Sequence, residues 1–405
     1  MRTLVPALPR DAWVVLGADA ISAVGSGLTL PFLFVYLHQA CGLSPALAGL
    51  AVASVAAGSV AGNVAGGTLS DRAGARNAMV VGLVCAAAGA AALTLVDAPW
   101  HAFAAAVTVG FGAGIVWPAQ DALLARVVAP AQRSSAFSLR FATMNAGLGV
   151  GALIAALLVS SQPGFVALYL ADAASFLVAI PLLLNVRPLA PPVAEHRTGS
   201  YRAVVRDRTF VRVWLLTALL VTLSYGQLHS AFPAFASGPG GLDADALGFA
   251  YAANTITVVL VQLFVLRALR GRRRTTGIAV ACGVWALAWA LALFAGQLGG
   301  STPATVAFAL SLAVFGLAEA CLSPSLAPMV NDLAPADLAG RYNGLSTLAW
   351  TVGFLVGPAT AGMAVGVDDG ALLLGFLVAA CGAAALAARR LARHLPSRAN
   401  TIAAA

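Results

Sequence analysis

Four carboxylates stand inside long apolar runs: Asp19, Asp121, Asp172 and Glu319. An ionisable group in an apolar span is costly, so each is a functional candidate by default. Asp19 shares a helical face with Ser22, Ser26 and Thr29, three or four residues apart, and a polar stripe on an apolar helix is expected to face a cavity. Glu319, in FGLAEACLSPS, is a carboxyl able to take up and release a proton during a transport cycle, which would also remove the penalty for exposing its charge to an apolar surrounding. For both Asp19 and Glu319 the competing reading is a hydrogen bond to a neighbouring helix. Asp121, in WPAQDALLAR, is expected to pair with Arg126 one turn on. Asp172 is either a helix-packing group or part of a transport path. His229, in YGQLHSAFP, could share a proton role or be a polar contact. Trp117, Tyr225, Phe232 and Trp350 either line a pocket for an apolar or aromatic ligand or pack between helices.

The elements that must position these groups follow from composition. Of 405 residues, 60% are hydrophobic and 9% charged, and the mean hydropathy is +0.90. A soluble domain is nearer half apolar and a quarter charged. A bilayer-spanning helix needs about 20 mostly apolar residues. Twelve such runs lie near 12–37, 45–69, 77–96, 102–126, 138–160, 164–185, 212–233, 246–267, 274–296, 303–328, 342–364 and 371–388. The chain therefore reads as an all-α membrane protein, and the even count puts both termini on one side.

Charge placement agrees. There is no lysine, and the twelve-span reading puts all 23 arginines on the side that holds the termini, in loops such as Arg72 and Arg76, Arg126 to Arg140, Arg187 to Arg212 and Arg267 to Arg274, and at Arg341. The opposite loops carry only acids: Asp97, Asp243, Asp245, Asp368 and Asp369. Under the positive-inside rule the arginine side is cytoplasmic, which predicts a multi-pass protein of the inner (cytoplasmic) membrane with both termini cytoplasmic. No removable signal peptide is expected in MRTLVPALPRDAW. The net charge of +8 is then topology, with some attraction to anionic lipid; no nucleic-acid partner is expected. Five scattered cysteines read as small buried hydrophobes.

The stretch RPLAPPVAEHRTGS marks a linker, residues 187–211, between two six-span bundles, 1–186 and 212–405. The following YRAVVRDRTFVR is a candidate amphipathic helix on the inner leaflet. Pro118, Gly147 and Gly151 match Pro324, Gly353 and Gly357 at a constant offset of 206 residues, in the fourth and fifth spans of each half. A parallel repeat of this kind places a substrate site between bundles near the bilayer midplane. Glycines four apart let helices approach closely, and Pro358 can bend its helix.

Residues 66–82 read GGTLSDRAGARNAMVVG, with Gly67, Leu69, Asp71, Arg72, Gly74 and Arg76 between the second and third spans. With these residues the chain resembles the major facilitator superfamily over essentially its whole length. Span eleven, GFLVGPATAG, and the span-five GLGVGALIA are similar to the drug:proton antiporter branch, although Ala152 stands where that branch has proline and the fourth span lacks its membrane-embedded arginine. Asn254, Gln262 and Arg267 in NTITVVLVQLFVLR look like multidrug-exporter members. The resemblance implies a two-bundle fold of pseudo-symmetric halves, and an inner gate held closed by the acid at Asp71. Its expected partner is the N-terminal end of span eleven near Asn343 and Gly344, whose helix dipole favours an anion, or Arg140.

Catalysis has no support: with no lysine a G-x-x-x-x-G-K-[ST] loop is impossible, and no cluster has metal-ligand spacing. No cofactor or metal is expected. The partners expected are a small-molecule substrate, protons and the lipid bilayer, with the chain a monomer. The functional expectation is a secondary transporter exporting small, mostly apolar or cationic compounds by alternating access and coupled to proton influx. No arginine is expected deep in a span, which favours neutral, hydrophobic or cationic cargo. The alternative is a metabolite uptake symporter or uniporter on the same fold; a non-transporting sensor is the third.

Overall fold

The computed structural model describes residues 6–33, 36–156, 162–187, 201–242, 244–365 and 370–403. Among these residues the regular secondary structure is helical, with one isolated bridge between Arg273 and Thr401. Six helices form the first half: α1 (Arg10–Thr29), α2 (Pro45–Ala73), α3 (Ala75–Leu93), α4 (Pro99–Val127), α5 (Arg133–Ala156) and α6 (Gln162–Leu184). Prolines in the first turns of α2 and α4 begin helices where an amide would be orphaned anyway. Gly74, at φ +86°, makes the turn from α2 into α3, a conformation that a residue with a Cβ rarely adopts.

After the short α7 (Tyr201–Arg206) come α8 (Arg208–Leu223), α9 (Tyr225–Leu228), α10 (Ala231–Ser237), α11 (Ala244–Leu269), α12 (Arg274–Gly296), α13 (Thr302–Leu322), α14 (Leu326–Leu333), α15 (Ala339–Val365), α16 (Gly370–Leu391) and α17 (Ser397–Asn400). The expected amphipathic helix is confined to α7, because Asp207 caps the amides of Thr209 and Phe210 and starts α8 there. The seventh expected span is broken at Ser224 and Ser230 into α8, α9 and α10. The tenth is broken at Ser323 to Ser325 into α13 and α14.

Among the described residues, eleven helical stretches are long and apolar enough to cross a membrane; α15, 27 residues with Pro358 inside, occupies the remaining expected span. Leu153, Phe249 and Leu355 are 72%, 71% and 69% exposed. Side chains of this kind on the outside of a helix bundle suit lipid and not water. Residues 188–200, the core of the expected linker, lie outside the described residues, as do Asp243, Asp368 and Asp369.

Two compact units result. The N-terminal unit comprises Pro6–Val204 together with Ala334–Leu348, the start of α15. In it α2 and α3 pack along α4, and α1 packs against α5 and α6. The C-terminal unit comprises Val205–Leu333 and residues 349–403. There α11 and α12 pack on α13, and α16 packs on α12 and α8.

Candidate functional site

In the N-terminal unit the acid of the 66–82 stretch turns inward. Asp71 Oδ1 accepts from the Gly340 amide at 2.7 Å, and Oδ2 accepts from the Arg341 amide at 3.1 Å and from Arg341 Nη1 at 2.9 Å. Gly340 and Arg341 lie in the first turn of α15, where amides lack intrahelical acceptors and the dipole favours an anion. Asp71 is therefore bound by charge and by backbone together, its side chain 6% exposed. Gly67 allows the approach: a Cβ there would stand 2.8 Å from the Gly340 carbonyl oxygen. The contact lies three residues before the expected Asn343 and Gly344, and it includes a guanidinium that sequence reasoning had assigned to topology alone. Arg72 points outward and is exposed, while Arg76 donates to the Val186 carbonyl at 3.0 Å.

Arg140 is not a partner of Asp71, which corrects the gating assignment. It sits two turns into α5, 8% exposed, and meets residues of two other helices, α1 and α4. It pairs with Asp121 on α4, donates from Nη2 to Gln120 Oε1 at 2.9 Å, and has Nε 3.7 Å from Asp19 Oδ2 on α1. The Trp117 ring lies 5.9 Å from its guanidinium carbon. Two expectations fail together here: an arginine is buried in a span, and Asp121 pairs with Arg140 instead of Arg126. The physical reason is angular, since five residues along a helix turn about 140°, which carries Arg126 away from the face that holds Asp121.

The polar stripe on α1 divides. Asp19 joins the Arg140 cluster, whereas Thr29 donates to Asp172 Oδ2 on α6 at 2.7 Å. Ser22, half-buried, donates to its own helix at Ala18; Ser26 is half-buried too. The stripe thus joins α1 to two different neighbours. Asp172 is thereby hydrogen-bonded across to α1.

In the C-terminal unit Glu319, 3% exposed, accepts from Asn254 Nδ2 at 3.2 Å. Asn254 also donates to the Leu312 carbonyl, so its amide is held between α11 and α13. No basic side chain of the described residues pairs with Glu319. Tyr225 begins an aromatic group, its ring 5.0 Å from Trp350 and 6.4 Å from Phe354. His229 lies among rings, stacked at 6.4 Å on Tyr251 and 6.4 Å from Phe354; it is not brought to Glu319. Phe232, 1% exposed, packs edge-on against Tyr251 and Phe308, so it is core and not pocket lining.

The paired glycines do the same work in each unit. Gly147 and Gly151 press α5 on α1, where a Cβ at Gly151 would stand 2.1 Å from the Val24 carbonyl oxygen. Gly353 and Gly357 press α15 on the α8–α9 segment, where a Cβ at Gly357 would stand 2.6 Å from Gly226 Cα. Pro358 follows directly, and Gln227 donates to the Gly357 carbonyl at 3.1 Å and to Thr360 Oγ1 at 2.9 Å.

A family model described as Major Facilitator Superfamily matches residues 15–358. The chain belongs to the major facilitator superfamily. Among its superfamily relatives, the uncharacterized MFS-type transporter YttB of Bacillus subtilis is 26% identical over 88% of this chain and 89% of its own. A Na(+), Li(+), K(+)/H(+) antiporter of Planococcus maritimus is 24% identical over 82% and 84%. Multidrug resistance protein MdtH of Edwardsiella ictaluri is 29% identical over 72% and 71%. Among solved structures, a bacterial homologue of the iron transporter ferroportin in the outward-facing state superposes with a TM-score of 0.79 at 17% identity, over 95% of this chain and 100% of that one. The fold is therefore that of a major facilitator transporter.

Proposed function

We propose that this superfamily member is a proton-coupled exporter of small, mostly apolar or cationic organic compounds, working by alternating access in the cytoplasmic membrane with both termini inside. The observation that carries the reading is Glu319: a buried carboxyl whose side-chain partner is a neutral amide. A permanently charged group at that position would be uncompensated, so proton uptake and release give it a defined role in a cycle. The Arg140 cluster adds support, because one guanidinium faces two carboxylates, Asp19 and Asp121, leaving one acid that a proton or a cationic cargo can neutralise. The Tyr225, Trp350 and Phe354 rings offer an apolar face. The multidrug protein and the cation/proton antiporter among the relatives point the same way. The binding of Asp71 by the first turn of α15 fits a latch that is made and broken in the cycle.

The test is transport by proteoliposomes with an imposed pH gradient, loaded in turn with lipophilic cations, neutral aromatics and polar metabolites. Efflux of the first two classes that collapses with the gradient supports the reading. Gradient-independent uptake of a polar metabolite would replace it with the uniporter alternative.

A further inference from the structure

The N-terminal unit carries an open groove of about 840 Å³ formed by α2, α3 and α4. It arises because α2 and α3 each pack along α4 and touch one another much less, so they part beyond the Gly74 turn and leave α4 as a floor. Its walls include Val60, Val64, Val81, Phe111 and Ile115, and Val60, Val64 and Val81 are 41%, 40% and 43% exposed. Along α2 the groove runs from Ala57 to Arg72, about 22 Å at the helical rise. Half of a bilayer's hydrocarbon core is about 15 Å. The groove is long enough to hold an acyl chain from headgroup level to the midplane.

One end is different. Arg72 is exposed there, and the acid beside it in sequence is taken: Asp71 is bound to Gly340 and Arg341. Among the described residues no carboxylate lines the groove. Tyr201 of α7 anchors at the same end, donating to the Val64 carbonyl at 2.6 Å and lying 3.5 Å from Thr68 Oγ1. That contact brings the arginine-bearing α7 segment to the rim.

We propose that this groove is a binding site for an anionic diacyl phospholipid of the leaflet next to the arginine loops, its acyl chain along α2 and its phosphodiester on the Arg72 guanidinium. The planar guanidinium presents paired N–H donors to phosphate oxygens. A zwitterionic headgroup gains no matching acid for its cationic end. The site is independent of cargo and coupling.

The test is native mass spectrometry of the full-length protein released from nanodiscs containing phosphatidylglycerol and phosphatidylcholine. The wild type is expected to retain phosphatidylglycerol in preference, and Arg72→Gln to lower that preference about fivefold. Ala61→Leu, which keeps every charge but fills the groove, is expected to reduce retention of phosphatidylglycerol, and it carries the test where Arg72→Gln does not insert. Arg389→Gln, at the end of α16, is expected to leave retention unchanged. Equal retention of both lipids by the wild type, unchanged retention in Ala61→Leu, or a dimer peak without lipid would each overturn the proposal.

Discussion

Asp71 and Arg341 are 270 residues apart in the chain, and their charged groups meet at 2.9 Å while the Arg341 amide donates to the same carboxylate oxygen. The acid is held by two different kinds of donor, a side-chain cation and the open amides of a helix start. Asp71→Asn is expected to cost about 3–5 kcal/mol, because Arg341 is left buried without its counter-charge, and to lower transport more than tenfold with membrane insertion intact. The exchange of Asp71→Arg with Arg341→Asp is expected not to restore function, since the Gly340 and Arg341 amides still favour an anion at position 71. Thermal unfolding and proteoliposome flux measure both. Full rescue by the exchange would show that the ion pair acts without the helix end.

The Arg140 cluster makes a second prediction through its charge imbalance. Arg140→Met is expected to be the most damaging single change, because Asp19 and Asp121 would then face each other with no cation. Adding Asp19→Asn to Arg140→Met is expected to recover part of the loss, with an interaction energy of about 0.5–3 kcal/mol. Melting temperatures of the two single variants and the double variant measure it. Additive losses would mean that the three groups do not act as a unit.

The fold was legible because its cause is one-dimensional: apolar runs of spanning length, with most of the arginines at or between their ends, are properties of the sequence itself. The places where the site was misread are those that need helix rotation. Arg126 is near Asp121 along the chain but turned away from it, and Arg140, counted among the loop arginines, lies on the next helix with its guanidinium on that acid. Arg341 was counted for topology, yet its place in the first turn of α15 was the signal that it could join the amides that bind Asp71. The α1 stripe was correct in periodicity, but spacing on one helix does not say which neighbour each residue meets. Asp19 and Thr29 meet different ones.

The glycine contacts give a prediction with an internal control. Gly151→Val and Gly357→Val each place a side chain where a Cβ alone stands under 3.0 Å from neighbouring backbone, so each is expected to lose about 1–3 kcal/mol through overpacking. Gly375, inside α16, has nothing within 4 Å of its Cβ position. Gly375→Ala is therefore expected to be neutral or to gain up to about 1 kcal/mol from helix propensity. Differential scanning fluorimetry in one detergent compares all three, and a neutral Gly151→Val would refute the close packing of α5 on α1.

Glu319 offers the most direct separation of coupling from folding. Glu319→Gln preserves length and an acceptor oxygen for the Asn254 amide, so the α11–α13 contact at 3.2 Å has a near-isosteric replacement, and the change in melting temperature is expected to be small. The variant has no exchangeable carboxyl proton. Substrate-dependent proton movement, followed with a pH-sensitive dye inside proteoliposomes, is expected to fall below detection, while exchange of labelled substrate down its own gradient continues. Glu319→Asp retains the proton site on a shorter stem and is expected to couple partially. A Glu319→Gln protein that still acidifies the liposome interior on substrate addition would remove this carboxyl from the coupling path and leave the Asp19, Asp121 and Arg140 cluster as the remaining place for the proton.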